Sequence, residues 1–338
     1  MVGPRFLSKL LCFATLLLIT AGGIVTTKNV GLAVPDWPTS YGHSMWALPW
    51  SMWKGGVLYE HTHRVIASLV GLMSLILAVW LNRIEPRRWV RILAAGALVM
   101  VIAQGLLGAL TVKLLLPLAV SVSHATMAQI FLVVTIITAY ALSRERDQRG
   151  QVVEDSADTR KAIWVWAFVS LVIVQLLLGA VMRHGMKHKG GVAIPDFPTA
   201  GSAWFPSFDQ SMLDAVIDLR DDLVWERGAD IDAEVTMADV LVHYLHRIGA
   251  ALVLIGSLCL TVLLARHGPP NRKIGATLGW LNLALAAQVG LGITTVLTQR
   301  GEIFATSHVA LGATVLGLAT LLAMRCWPVA HRPQEARA

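Results

Sequence analysis

The sequence predicts an all-α polytopic membrane protein, with eight transmembrane helices arranged as two pseudo-symmetric parallel four-helix bundles. Three observations carry that expectation: long apolar runs, a low charge content and an internal repeat. Of 338 residues, 55% are hydrophobic and only 14% are charged, and the mean hydropathy is +0.62. Soluble domains carry about a quarter charged residues, and a helix needs about 20 apolar residues to cross a bilayer. A disordered chain and a water-soluble enzyme of ordinary design both conflict with these values.

Apolar runs between polar breaks place the spans at 7–27, 58–81, 91–112, 119–142, 162–182, 238–264, 274–297 and 303–325. The first follows Arg5 and Lys9 and precedes Ala21-Gly22-Gly23, the outline of a cleaved signal peptide. A counterpart in the second half of the chain favours a retained span. It begins within ten residues of Met1, too soon for a mitochondrial presequence, so a bacterial cytoplasmic (inner) membrane is the expected setting. The three cysteines, Cys12, Cys259 and Cys326, lie in or beside apolar runs, where inert burial is expected and no disulfide framework arises.

A net charge of +7 and a pI of 9.6 raise the question of a nucleic-acid partner. The position of the charges answers it. With both termini in the cytoplasm, 17 of the 28 Lys and Arg residues fall on that side and 9 on the other, while Arg64 and Arg247 lie inside spans. The basic balance sets orientation, and no nucleic-acid partner is expected. Two outer loops are long, 28–57 and 183–237. The second carries an acidic insertion at about 205–237 that reads as solvated and partly helical. Trp37, Trp46, Trp50, Trp53, Trp204 and Trp225 fall in these loops, either at the membrane interface or over a bound planar ligand.

Self-similarity then divides the chain. GLAVPDWPT at 31–39 recurs as GVAIPDFPT at 191–199, and EHTHR at 60–64 as HYLHR at 243–247. QGLLGALTV at 104–112 recurs as QVGLGITTV at 288–296, and SHATMA at 123–128 as SHVALG at 307–312. Four spans per half make the repeats parallel rather than inverted. The expected division is 1–150 and 151–338.

Four of the eleven histidines, His63, His124, His246 and His308, occupy matched positions inside spans, at one depth below the outer boundary. Ionisable groups within a bilayer are costly, and they mark function by default. Two imidazoles facing across a four-helix bundle suit a six-coordinate haem; zinc would gather three or four ligands. Gly105, Gly108, Gly290 and Gly292 thin the third helix of each half, either for a porphyrin face or for small-residue helix packing. Glu60 stands on the same helix face as His63, and its counterpart is His243. A carboxylate at that depth suits proton transfer or charge stabilisation, or an ion pair with Arg64. Because Arg247 repeats Arg64, haem propionates are the expected partners of both. His61 falls on another face, and His43, His184, His188, His267 and His331 lie in loops or basic stretches; none of these is expected to be an axial ligand.

These motifs together resemble the haem A synthase family of cytochrome oxidase assembly, over most of the chain. The resemblance implies oxidation of the C8 methyl of haem O to a formyl group, by way of an alcohol and a hydrated aldehyde. It matches Glu60, His63 and His124 to the substrate site, and His246 and His308 to a haem b site that passes single electrons. Glu60 is then the catalytic residue, and the two iron atoms are held by His63 with His124 and by His246 with His308. The implied partners are haem O, haem O synthase, an unidentified electron donor, membrane lipid and a second copy of the chain. Some bacterial members carry cysteine pairs in the outer loops, and this chain has none there. His243 and the acidic loop stay unassigned. A two-haem b-type electron-transfer protein resembling a quinol oxidoreductase is the alternative; it accounts for four histidines but not for Glu60.

Overall fold

The computed structural model describes residues 2–149, 159–186, 191–227, 235–266 and 271–328. Among these the regular elements are all helices, and two isolated bridges, Ser40–His43 and Ala200–Ala203, are the only β pairings. The helices are α1 (Val2–Thr27), α2 (Gly55–Ile84), α3 (Arg88–Lys113), α4 (Leu118–Ala141), α5 (Arg144–Arg149) and α6 (Thr159–Gly185). They continue with α7 (Gln210–Arg227), α8 (Met237–Ala265), α9 (Arg272–Leu297) and α10 (Glu302–Cys326). Eight of these, all but α5 and α7, are long and apolar enough to cross a membrane.

Every expected span is present, and most overrun their apolar limits. α1 starts at Val2 rather than 7, and α2 runs from Gly55 to Ile84 rather than 58–81. Intrahelical hydrogen bonding needs no apolar side chain, so helices continue into the interface while hydropathy falls. The acidic insertion forms α7, as its composition suggested. Met212 and Val216 on one face of that helix pack on Ile194, Ala200 and Val240.

α1 packs on α2 and α4, and α3 packs on both α2 and α4. In the second half α6 packs on α8 and α10, and α9 on α8 and α10. The halves meet where α1 and α4 touch α10 and where α4 touches α6. The apolar cores sit away from the long loops. One joins Leu11, Val70, Leu77, Leu81, Val90 and Phe131; another joins Val169, Val253, Leu260, Leu281 and Leu316. At the same end Arg325 donates from Nε and Nη2 to the two carboxylate oxygens of Glu145, at 2.9 Å each, and ties α10 to α5.

The two long loops start alike. The Asp36 carboxylate accepts from the amides of Tyr41 (2.7 Å) and Gly42 (2.9 Å), and Asp196 accepts from those of Gly201 and Ser202, both at 3.0 Å. Burial pushes the Asp36 carboxyl up; hydrogen bonds from the Gly42 amide, the Thr39 hydroxyl and the Tyr41 amide more than offset this and bring it to about 2.

Candidate haem sites

The histidine layer lies at the long-loop end of the helices. His63 is eight residues into α2, His124 six into α4, His246 nine into α8 and His308 six into α10. At 1.5 Å per residue these are depths of about 9–14 Å. All four imidazoles are enclosed by protein, yet each keeps some accessible surface. Below the layer, by contrast, the helices fill their interior with apolar side chains.

Each ring rests against a glycine of the neighbouring helix. A Cβ added to Gly22 would lie 3.1 Å from His63 Cε1, and one on Gly108 3.3 Å from His124 Cε1. The corresponding distances are 3.0 Å from Gly179 to His246 and 3.1 Å from Gly292 to His308. Gly108 and Gly292 therefore make room for the imidazoles themselves, a role outside both readings of the sequence. A Cβ on Gly105 or Gly290 would meet nothing within 4 Å. Gly22 and Gly179 escaped sequence reasoning; they stand 157 residues apart, whereas the loop motifs after them stand 160 apart.

Glutamines fix the backbone behind three of the rings. Gln104 donates to the His124 carbonyl (2.8 Å), Gln288 to that of His308 (2.9 Å) and Gln175 to that of His246 (2.9 Å). Position 18, which corresponds to Gln175 through the Gly22–Gly179 match, is leucine. The Nδ1 atoms of His63, His124 and His308 are buried without a hydrogen-bond partner. Nε2 is then the nitrogen left for a ligand.

The His246 and His308 rings have centroids 6.4 Å apart. His246 and His308 would hold a haem iron between them. His63 and His124 also lie within electrostatic range of each other. Among the described residues no three His, Cys, Asp or Glu side chains gather as a multidentate metal site would require. Paired imidazoles and their glycine cradles fit a bis-histidine haem.

Glu60 is buried, one turn above His63. Its Oε2 accepts from the Val34 amide (2.8 Å) and its Oε1 from Arg64 Nη2 (2.6 Å). The Glu60–Arg64 ion pair is thus formed. Arg64 also donates to the carbonyls of Val34, Asp36 and Thr39 at 2.6–3.2 Å, and Arg247 donates to those of Ile194, Asp196 and Thr199 at 2.7–3.1 Å. The Nη1 and Nη2 groups of both arginines thus clamp the PDWPT and PDFPT turns onto α2 and α8, while Arg247 Nε is buried without a hydrogen-bond partner. At the counterpart of Glu60, His243 Nδ1 accepts from the Ile194 amide at 3.0 Å.

His61, set aside as a ligand, is fully buried. Its Nδ1 lies 3.0 Å from the Ser40 hydroxyl and its ring meets Trp53 edge-on, centroids 4.6 Å apart. Trp46, Trp50 and Trp204 are largely exposed at the loop end. His188, His267 and His331 lie outside the described residues, and so does the side chain of Trp225.

An eight-span helical membrane protein with paired histidines buried in its bundles, and one carboxylate beside a single pair, is the class that fold and site define. Comparison with known proteins places it more closely. Residues 5–320 match the COX15-CtaA family model, described as cytochrome oxidase assembly protein. The chain belongs to that family. It is similar to the heme A synthase of Halalkalibacterium halodurans, 24% identical over 315 residues, covering 92% of this chain and 93% of that one. The heme A synthase of Rhizorhabdus wittichii is 24% identical over 336 residues, covering 90% and 88%. That of Methylobacterium radiotolerans is 33% identical over 150 residues, covering 41% and 40%.

Proposed function

We propose that this protein is a haem A synthase, an oxidoreductase that converts the C8 methyl of haem O to the formyl group of haem A. The observation that carries the reading is the asymmetry of two similar histidine pairs: one has Glu60 above it and the other has His243. Family membership and the names of the relatives support it over plain two-haem electron transfer, which gives no reason for the carboxylate. On this reading residues 1–150 hold the substrate haem O, between His63 and His124. Residues 151–338 hold haem b, between His246 and His308. The membrane is the bacterial inner membrane, with both termini cytoplasmic and the histidine layer toward the periplasm.

Haem b, when bound, supplies one-electron transfer. The chain's own residues do the rest. His63 and His124 orient the substrate by its iron, and the cradles of Gly22 and Gly108 fix the angle of each ring. Both Glu60 oxygens are held, by the Val34 amide and by Arg64, so the carboxylate stays in place while charge develops at the methyl carbon. A preorganised group needs no reorganisation during reaction, and in a low-dielectric interior its charge acts more strongly than in water. Glu60 stabilises positive charge at that carbon or accepts its proton. Arg64 and Arg247 hold the loops that close the sites from the aqueous side.

The test is Glu60→Gln in cells supplied with haem O. Accumulated haem O, or a hydroxylated intermediate, is the expected product; undiminished haem A would refute a catalytic role for Glu60.

A further inference from the structure

The C-terminal half carries two cations that its neighbours leave uncompensated. Arg183 lies on α6, one turn beyond Gly179, the residue that cradles His246. Its bonds go to neutral acceptors on α1, the Gly23 carbonyl (2.5 Å) and the Thr27 hydroxyl (2.6 Å). Arg300 follows α9 and donates to the Met186 carbonyl at 3.3 Å. The two guanidiniums are close enough to repel each other, and Arg183 also lies within electrostatic range of His308. Among the described residues no carboxylate pairs with either; the nearest acid in sequence to Arg300, Glu302, pairs with Lys28. Both arginines are half-buried. Two like charges in a partly desolvated place are costly unless an anion completes them.

The first half has no such pair. The position matching Arg183 is Thr26, and the one matching Arg300 is Leu116. The backbone there is the same: Leu115 and Leu116 have φ of 58° and 63°, and Gln299 and Arg300 have 49° and 66°. Leu116 and Arg300 each donate their amide to a helix carbonyl five residues back, Thr111 and Thr295. Main chain is kept while charge is added on one side only, so the loop's shape does not explain the arginines.

We propose that Arg183 and Arg300 form a carboxylate-binding site at the outer edge of the C-terminal bundle, which takes the propionates of the haem held by His246 and His308. The site rests on the reading of those histidines as haem ligands. It adds charge beyond Arg64 and Arg247, whose Nη1 and Nη2 groups are engaged by loop carbonyls and, for Arg64, by Glu60 as well. It also separates the two haems by function. A resident cofactor gains from a charge-assisted clamp, whereas a substrate that must leave after each turnover is held without one. The added positive charge favours the reduced form of the resident haem.

The experiment uses the full-length purified protein as wild type, Arg183→Met, Arg183→Lys, Arg300→Gln and His308→Ala. Haem b per chain is measured by pyridine haemochrome, and midpoint potential by spectroelectrochemical titration. Arg183→Met and Arg300→Gln are expected to lower the reduced-to-oxidised ratio about tenfold at fixed ambient potential, about 59 mV for a one-electron couple. Arg183→Lys restores most of it. Arg300→Gln disturbs only one carbonyl contact, so it remains informative if Arg183→Met folds poorly. Unchanged potentials in both charge-removing variants overturn the proposal. So does loss of co-purifying anionic phospholipid from those variants at constant potential, which would assign the cations to a lipid phosphate. Haem b content that is the same in wild type and His308→Ala overturns the haem-ligand reading itself, and the proposal with it.

Discussion

The Val34 amide donates to the Glu60 carboxylate at 2.8 Å, so a loop residue outside the helices fixes the acid that stands above His63. The loop is fixed in turn by Arg64, which bonds the same carboxylate. Acid, loop and guanidinium form one closed unit, with the Arg64 and Glu60 side chains only 9% and 5% exposed.

Arg64→Ala is therefore expected to be more damaging than Glu60→Gln. It removes the loop clamp and leaves an unpaired buried carboxylate, a change that costs about 3–5 kcal/mol. Thermal unfolding in detergent should show a large fall for Arg64→Ala. Glu60→Gln keeps shape and removes charge, so most of its effect should appear in product rather than stability. Equal losses of stability would contradict this division.

The glycine cradles predict half-specific defects. Alanine at Gly179 or Gly292 forces the His246 or His308 ring to give way by tenths of an ångström, and overpacking of this kind costs about 1–3 kcal/mol. Haem content of the C-terminal site should fall in both variants. Gly290→Ala, whose Cβ would meet nothing within 4 Å, should retain haem at wild-type level.

Acid should release the first long loop. The Asp36 carboxyl, held down at about 2 against an ordinary value of 3.8, contributes stability above that ordinary value and loses it as pH falls toward 2. Asp36→Asn should thus be less stable than wild type near neutral pH, with the gap closing between pH 4 and pH 2 by about the full difference. Melting curves of the two proteins across that range measure it; a gap independent of pH would mean that the charge plays no part.

At the opposite end, Arg325 and Glu145 join α10 to α5 by two parallel hydrogen bonds. Hydrogen bonds to charged groups contribute about 1.5–3 kcal/mol each when protected from solvent, and these side chains are 18% and 17% exposed. Arg325→Met should lower the unfolding temperature without changing haem occupancy. Burial raises the Glu145 carboxyl, but the Arg325 hydrogen bond and the neighbouring positive charges lower it further. The contribution of this pair is therefore present at neutral pH and lost on acidification.

The spans were legible because hydrocarbon imposes a length and a composition that few other environments demand. The histidines and Glu60 were legible because an ionisable group stands out against an apolar run. What makes them a site was less so. Gln104 and Gln288 stood inside the repeated QGLLG and QVGLG motifs, but their bonds run to backbone carbonyls, which carry no side-chain signature. Gly22 resembled part of a signal-peptide cleavage site, and its match to Gly179 was hidden by a three-residue change of spacing before the loops. Arg64 and Arg247 were visible, but the identity of a guanidinium's acceptor depends on how a loop folds back. Arg183 read as one more topogenic charge, since nothing in its neighbourhood of sequence shows that α1 covers it. The 3-10 turn Trp50–Met52 and the six-residue α5 are too short to leave a periodic trace.

The contact between α1 and α10 bears on how the molecule is made. Ile19 of α1, Leu132 of α4 and Ala313 of α10 share one buried cluster. A helix early in the chain thus completes its packing against one about 290 residues later. Chains lengthen at about 5–20 residues per second, so α1 waits many seconds in the lipid with the Gly23–Ile19 face uncovered. The first histidine pair can assemble from α1 to α4 in that interval, while the α1 and α4 faces that meet α10 stay uncovered until α10 is made. A chain truncated before α10 would leave the Ile19 and Leu132 faces without their partner Ala313.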